Sequence, residues 1–101
     1  MKISHYIDSL EDPELNSRIV NASDIQLKMP FPVELDSESE TDWVASFYEA
    51  DIEDEGASQG EAVSRLLDRT LKEFRLLNAK DQLTPEESTK LYILSNFFDF
   101  R

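Results

Sequence analysis

The sequence predicts an α+β fold in which a small antiparallel β-sheet packs against one long helix, with an additional C-terminal helix. Two patterns lead to this prediction. Apolar and polar residues alternate over residues 25–35, as in a strand with one buried face. Apolar residues then recur at helical spacing over residues 59–77, as in a helix that lies on a sheet. With 101 residues, the chain is long enough for one hydrophobic core, so we expect a single domain over residues 1–101.

Residues 1–24 give the weakest pattern and predict a helical or irregular arm. Asp12 is a candidate N-cap, and Pro13 would be the first residue of the helix that it caps. A short strand over residues 18–20 is the alternative, because β-branched residues favour strands. The apolar residues at helical spacing are Ile3, Tyr6, Ile7 and Leu10.

Two strands are predicted in the next part of the chain. The first covers residues 25–35, and its Pro30 and Pro32 cannot donate to a ladder, so this strand has an unpaired edge or a bend there. The polar residues 37–41 are typical of a loop. Residues 43–48 are rich in aromatic and β-branched residues and predict the second strand. We expect the two strands to pair as a hairpin.

Two capping boxes mark the starts of the helices. Ser58 with Glu61 opens the long helix at residue 59. Thr84 with Glu87, and Pro85 between them, opens a C-terminal helix over residues 84–98. This helix carries more apolar residues than one stripe needs, which suggests a partner or dimer surface. The additional apolar residues are Ile93, Phe97 and Phe100.

The acidic residues are concentrated in the middle of the chain. The net charge is −12, and eleven acids but no base lie between Lys28 and Arg65. Such a field repels nucleic acid and anionic membranes and favours a basic protein partner. On charge alone, a solvated face that keeps the protein soluble is the simpler interpretation. The acids that we assign to a partner surface are Glu49, Asp51, Glu53, Asp54 and Glu55.

The residue types present do not favour catalysis. The chain has no cysteine, one histidine (His5) and no G-x-S-x-G motif. Its two glycines form no phosphate cradle, and the acids do not follow the EF-hand spacing. We therefore expect no catalytic residue, no cofactor and no metal site. No signal-peptide pattern and no membrane-spanning run occurs, which predicts a cytoplasmic protein without a membrane partner.

The bases of the long helix allow two interpretations. Arg65, Arg69 and Lys72 share one helical face, which is one arrangement that binds phosphate. Asp68 and Glu73 are interleaved with them and favour a solvated face instead.

Three segments resemble the HicB-like antitoxin family when they are taken in order. Residues 27–33 resemble the family's proline-containing first strand, and residues 43–45 are similar to its second strand. Residues 56–62 resemble its G-x-[TS]-x-x-E-A signature, which makes residues 25–78 a HicB-like ββα core. In this signature Gly56 permits a backbone turn and Ser58 caps the helix. The Glu61 side chain accepts a hydrogen bond from the backbone at the cap, and Ala62 is small enough to let the helix approach the sheet.

The resemblance implies a partial RNase H-like fold without nuclease carboxylates. It also implies an antitoxin that covers a small basic HicA-like mRNA interferase, often as a dimer or higher oligomer. The family's turn before Gly56 is replaced by residues 50–52, and no DNA-binding module fits after residue 80, so direct nucleic-acid binding is not expected. The alternative is a regulatory or scaffold protein that self-associates or docks a partner through Phe97, Phe98 and Phe100 at its C-terminal aromatic end.

Overall fold

The computed structural model describes residues 2–8, 10 and 24–101. They form the predicted α+β fold, with a four-stranded antiparallel sheet in the order β1-β3-β4-β5 and a two-stranded sheet of β2 and β6. The elements are β1 (Lys2–Ile7), β2 (Ile25–Leu27), β3 (Phe31–Ser39), β4 (Asp42–Phe47), a 3-10 helix (Tyr48–Ala50), β5 (Ile52–Gly56), α1 (Gln59–Ala79), α2 (Pro85–Phe97) and β6 (Phe98–Phe100).

The hydrophobic core lies between one face of the four-stranded sheet and helix α1. Side chains of β3 alternate between buried and less buried positions, and β4 continues the pattern. Helix α1 buries a stripe that recurs every three or four residues against them. Each large side chain buried here contributes about 1.5–3 kcal/mol. The buried residues of this interface are Phe31, Val33, Leu35, Trp43, Ala45, Phe47, Ala62, Val63, Leu66, Leu67, Leu71 and Phe74.

The single strand predicted over residues 25–35 is wrong, because the chain bends within it. Lys28 and Met29 lie in a bend, β2 pairs with β6, and β3 pairs with β1 and β4. The bend that the prolines predict is present, and the alternation continues across it because Ile25 and Phe31 are both buried in the same core. The predicted hairpin with the second strand is confirmed as β3 and β4, although residues 37–39 belong to β3 rather than to a loop.

The helical interpretation of the first residues is wrong, since residues 2–7 form strand β1. This strand pairs with β3 from Lys2 opposite Asp36 to Ile7 opposite Phe31. Pairing with a neighbouring strand outweighs a weak helical spacing, and β-branched Ile7 is buried in this arrangement. The strand proposed for residues 18–20 and the helix start at Pro13 lie outside the described residues.

Strand β5 was not predicted from the sequence. It runs antiparallel to β4, with Ile52 opposite Phe47 and Gly56 opposite Trp43. Among its residues, Ile52 is the one apolar side chain that enters the core. Because three of its residues are acidic, the segment lacks the composition that usually indicates a strand.

The apolar excess at the end of α2 completes the chain's own core. Phe97 and Phe98 are only 5% and 1% exposed. The ring of Phe98 lies 5.2 Å from that of Phe31, and the ring of Phe97 lies 5.3 Å from that of Phe47. The expectation that Phe97 and Phe98 form an exposed contact is therefore corrected. Phe100 is 40% exposed and stacks on Phe74.

Within the described ranges, neither α1 nor α2 has the length and apolar character that crossing a membrane would require.

Candidate protein interface

The face of the four-stranded sheet opposite to α1 carries mostly polar side chains, and we call it the open face. Strand geometry fixes its composition, because successive side chains point to opposite sides of a sheet and the other side is buried under the helix. Ser46 excepted, its side chains are exposed or half-buried. The open face consists of Lys2, Ser4 and Tyr6 of β1, Pro32, Glu34, Asp36 and Glu38 of β3, Asp42, Val44 and Ser46 of β4, and Glu53 and Glu55 of β5.

The strand register arranges these residues in rows across the sheet. One row contains Lys2, Asp36, Val44 and Glu55, and the next contains Ser4, Glu34, Ser46 and Glu53. Neighbouring strands are about 4.8 Å apart, and rows on one face are about 7 Å apart. Acidic side chains of β3 and β5 therefore stand on both sides of β4.

A groove follows β4 between these acids. Its volume is about 630 Å³. Val44 and Ser46 form its floor, because they are shorter than the glutamates and aspartates on either side. Tyr48, which follows β4 and is 63% exposed, also lines the groove. The acids that line it are Asp36 and Glu38 from β3, Asp42 from β4, Glu53 and Glu55 from β5, and Glu61 from α1, and Arg65 of α1 lines it as well.

Three of the acids in this groove make no ion pair with a described base of the chain. The carboxylates of Glu38, Glu53 and Glu55 make no hydrogen bond or ion pair with another described residue. On the same face, the Glu34 carboxylate accepts a hydrogen bond of 2.8 Å from the Ser4 hydroxyl. Lys2, at the edge of the sheet, is the one base that the register of the described strands places on this face.

The described bases that form ion pairs lie on the helices or directly after α1, and their acid partners lie on the helices, at Asp54 of β5 and at Asp24. Each ion pair between described residues uses a base on α1, on α2 or at Lys80, which ends α1. This arrangement supports the solvated helix face over a phosphate site for Arg65, Arg69 and Lys72. Their carboxylate partners are Glu61, Asp54 and Asp68.

Arg65 and Arg69 also protect the edge of the sheet. The Arg69 guanidinium donates to the Glu53 carbonyl at 2.9 Å, and the Arg65 guanidinium donates to the Glu55 carbonyl at 3.3 Å. These carbonyls belong to β5, an edge strand, whose unpaired groups would otherwise attract another strand. The two arginines are thus held at the β5 edge, although Arg65 also borders the groove beside Glu61.

The five acids predicted as a partner surface do not share one face. Glu53 and Glu55 line the groove, whereas Asp54 points to the other side of β5 and pairs with Arg69 at 3.8 Å. Glu49 lies in the 3-10 helix, and Asp51 follows it with a left-handed backbone (φ 54°), so both are beyond the strand ends.

The prediction also missed residues that complete this surface. They are Glu34, Asp36 and Glu38 of β3, together with Ser46, Tyr48 and Tyr6. For the β3 acids the signal was present in the sequence, because the alternation that buries Phe31 and Leu35 points every second residue outward. For Tyr6, no local pattern could place it, since its position depends on the pairing of β1 with β3.

The residues of the helix-start signature meet at the end of β5. The Ser58 hydroxyl accepts from the Glu61 amide at 3.2 Å, which confirms the cap. The Glu61 carboxylate accepts a hydrogen bond of 3.4 Å from the Ala57 amide. A capping box would use the Ser58 amide instead, so the second bond of the box is displaced by one residue. Gly56 does not adopt a positive φ, so a turn is not why glycine is needed there. Ala62 is fully buried and lies directly against Gly56.

The open face presents carboxylates, hydroxyls and two exposed tyrosines, Tyr6 and Tyr48, which is a chemistry suited to binding cationic groups. His5, the one histidine, is exposed on β1. In the part of the chain that the structure describes, no three His, Asp or Glu side chains are grouped so that they could hold a metal ion. Comparison of the chain with protein-family models, with curated proteins and with solved structures finds no match.

Proposed function

We propose that this chain is a non-catalytic, antitoxin-like protein that binds and neutralises a small basic toxin, of the HicA-like mRNA interferase type. The observation that carries the proposal is the open face, where the carboxylates of Glu38, Glu53 and Glu55 make no ion pair with a described residue. Opposite charges on two proteins speed their encounter and favour the correct partner over acidic ones. A basic protein is the partner that such a face selects.

Neutralisation by this route requires only that the toxin's basic surface be covered. A protein that cleaves RNA holds the phosphate backbone with lysines and arginines. The carboxylates of the open face would compete with phosphates for the same cations. The proposal therefore needs no catalytic residue and no cofactor in this chain.

The resemblance to HicB-like proteins supports the same proposal independently of charge. Its three segments fall on β2 to β3, on β4 and on the start of α1. Self-association remains part of the proposal, since the resemblance implies a dimer or higher oligomer.

The alternative, a scaffold protein that uses its C-terminal aromatic end, has less support. Phe97 and Phe98 are buried in the monomer, which leaves Phe100 as the partly exposed aromatic residue of β6. One partly exposed ring gives a small contact area, far below that of a typical stable interface.

The experiment is co-expression of this chain with the product of each gene that flanks its own. We expect a small basic flanking product that stops growth when it is expressed alone, and that co-purifies with this chain in low salt while growth is restored. If neither flanking product is toxic, or if the toxic one does not co-purify in low salt, the proposed function is wrong. Raising the salt concentration should weaken the complex, because exposed charges are screened.

A further inference from the structure

We infer that strand β1 is the surface on which a second copy of this chain docks, edge to edge and antiparallel. This docking rests on the self-association included in the proposed function and assigns it to one edge of the four-stranded sheet. Strand β1 is an edge strand, because β3 is the one described strand that pairs with it. An edge strand presents unpaired backbone N–H and C=O groups, which another strand can bind.

The two edges of the four-stranded sheet differ in charge and in cover. At β5, the Arg65 and Arg69 guanidinium groups donate to backbone carbonyls of the strand, and three of the five residues are acidic. Strand β1 contains no acid and has one lysine and one histidine. Two copies that each carry a net charge of −12 repel one another, so their contact is least opposed at the edge without acids.

The sequence of β1 and of the residue that follows it is complementary to itself when it is read in the opposite direction. Antiparallel pairing with His5 of the two copies opposite each other sets Lys2 opposite Asp8, and Ile3 opposite Ile7, of the other copy. Lys2 and Asp8 are exposed and have opposite charges. Directly opposite side chains on antiparallel strands are about 5 Å apart, so two symmetric ion pairs and two apolar pairs form.

The same register also covers Tyr6, whose side chain is 61% exposed on the open face. It stands opposite Ser4 of the other copy. The two-fold axis passes between the two His5 residues and is perpendicular to the sheet, so the open faces of both copies lie on the same side. The dimer therefore presents two open faces on one continuous sheet of eight strands.

Other registers lose this match. A shift of two residues in one direction sets Ser4 opposite Ser4 and leaves Asp8 beyond the end of the other strand. The same shift in the other direction sets Tyr6 opposite Tyr6 and leaves Lys2 without a partner in the strand. A shift of one residue is excluded, because it would turn the side chains of one copy to the opposite face.

Sedimentation of the chain alone measures the association. A contact along seven residues is small beside the buried area of about 800 Å² per partner in a typical stable complex, so the dimer should be weak. We expect monomers at about 10 μM and dimers at about 500 μM, in about 0.15 M salt.

A cysteine at the two-fold axis tests the register, since the unmodified chain has no cysteine. In the proposed dimer the Cα atoms of the two His5 residues are about 4.5–5.5 Å apart, which is within the range of a disulfide. The Cα atoms of the two Ser4 residues are about 8 Å apart, which is too far. Under mild oxidation, His5→Cys should therefore form a covalent dimer at least about tenfold faster than the control Ser4→Cys.

Charge reversal tests the ion pairs. Lys2→Asp sets two acids opposite each other in its own dimer, and Asp8→Lys sets two bases opposite each other, so each variant alone should dimerise about tenfold more weakly. An equimolar mixture of the two variants restores both opposite-charge pairs and should recover the association. Lys72→Asp is the control, because it changes the net charge equally on α1, which packs mainly on β4 and β5. It should change dimerisation by less than about twofold.

Circular dichroism establishes that each variant is folded before association is compared. A chain that stays monomeric at about 500 μM overturns the inference, and so does cross-linking of Ser4→Cys as fast as His5→Cys, or a mixture that associates no better than its two components. These experiments use the chain alone, so their failure leaves neutralisation of a toxin unaffected. If no flanking product is toxic, the proposed function is wrong while a dimer through β1 still forms.

Discussion

Gly56 lies directly against the backbone of Ala62, so closely that a Cβ atom on Gly56 would stand 2.4 Å from the Ala62 amide nitrogen. This contact joins the end of β5 to the first turn of α1. Because the obstructing atoms are backbone atoms, a side chain here cannot be accommodated by a rotamer change.

We expect Gly56→Ala to destabilise the fold by about 1–3 kcal/mol, the usual cost of overpacking. Chemical denaturation followed by circular dichroism measures the effect. The matched control is Gly60→Ala, because Gly60 lies in the exposed first turn of α1 and an added methyl group there meets open space. That control should stabilise the protein by about 0.5–1 kcal/mol, since alanine favours the helix. Equal effects of the two changes would contradict the contact described for Gly56.

The cap of α1 gives a second prediction. Replacing Ser58 with alanine removes the acceptor for the Glu61 amide and should lower the free energy of unfolding by about 1 kcal/mol. Ser88→Ala is the control, because Ser88 is exposed inside α2 and alanine is favourable there. A thermal unfolding series would show a lower midpoint for Ser58→Ala only. If both variants have the same unfolding midpoint as the unmodified chain, Ser58 does not cap the helix.

The contrast between these helices and the strands shows which features the sequence could predict. Ser58, Thr84 and Pro85 are local signals, and the helices begin beside them as predicted. Strand β4 was also predicted, because its aromatic and β-branched residues are consecutive. Two patterns along the chain, an alternating segment and a helical apolar stripe, were sufficient to predict the α+β fold, because each buries its apolar side against the other.

What the sequence did not predict depends on contacts between distant residues. Strand β5 has Ile52 as its one core side chain and is held in part by Arg65 and Arg69, whose bonds to its carbonyls no local pattern reveals. The acidic run was evident in the sequence, but its division between the open face and the helix side required the register of β4 with β5. Asp54 and Glu55 are neighbours in the chain and yet lie on opposite faces of the sheet.

The aromatic end of α2 supports a prediction about the core. Phe98 is buried among aromatic rings, whereas Phe100 is 40% exposed. Phe98→Ala should therefore cost about 3–5 kcal/mol of stability. Phe100→Ala should cost about 1 kcal/mol, because it removes a stacked pair with Phe74 at the surface. Urea unfolding of the two variants measures the difference.

If Phe98→Ala does not fold, Phe98→Leu provides the same comparison with a smaller loss of volume. Sedimentation of Phe100→Ala adds a readout for the scaffold alternative. A change in oligomeric state with that variant would favour docking through the aromatic end, whereas an unchanged state together with a large cost for Phe98→Leu assigns this end to the core.

The junction of the two helices should make stability depend on pH. The Lys80 ammonium and the Thr84 amide donate hydrogen bonds to the Glu87 carboxylate, and they hold the pKa of Glu87 below its ordinary value. A carboxyl group with a lower pKa in the folded state binds fewer protons there than in the unfolded state at acidic pH. Its contribution to stability is complete above the unfolded pKa, which is roughly 4.3, and is lost as the pH falls through the folded value.

Glu87→Gln tests this sign directly. At pH 7 the variant should be less stable than the unmodified chain, and the difference should narrow below a pH of about 4, where the glutamate itself becomes protonated. Glu86→Gln removes the same charge from the same helical turn without breaking an ion pair between described residues, so it should be the milder change at pH 7. Urea titrations at pH 7, 5, 4 and 3 provide the comparison. A gap between Glu87→Gln and the unmodified chain that stays constant down to pH 3, or widens there, would mean that the Lys80 contact does not stabilise the charged carboxylate.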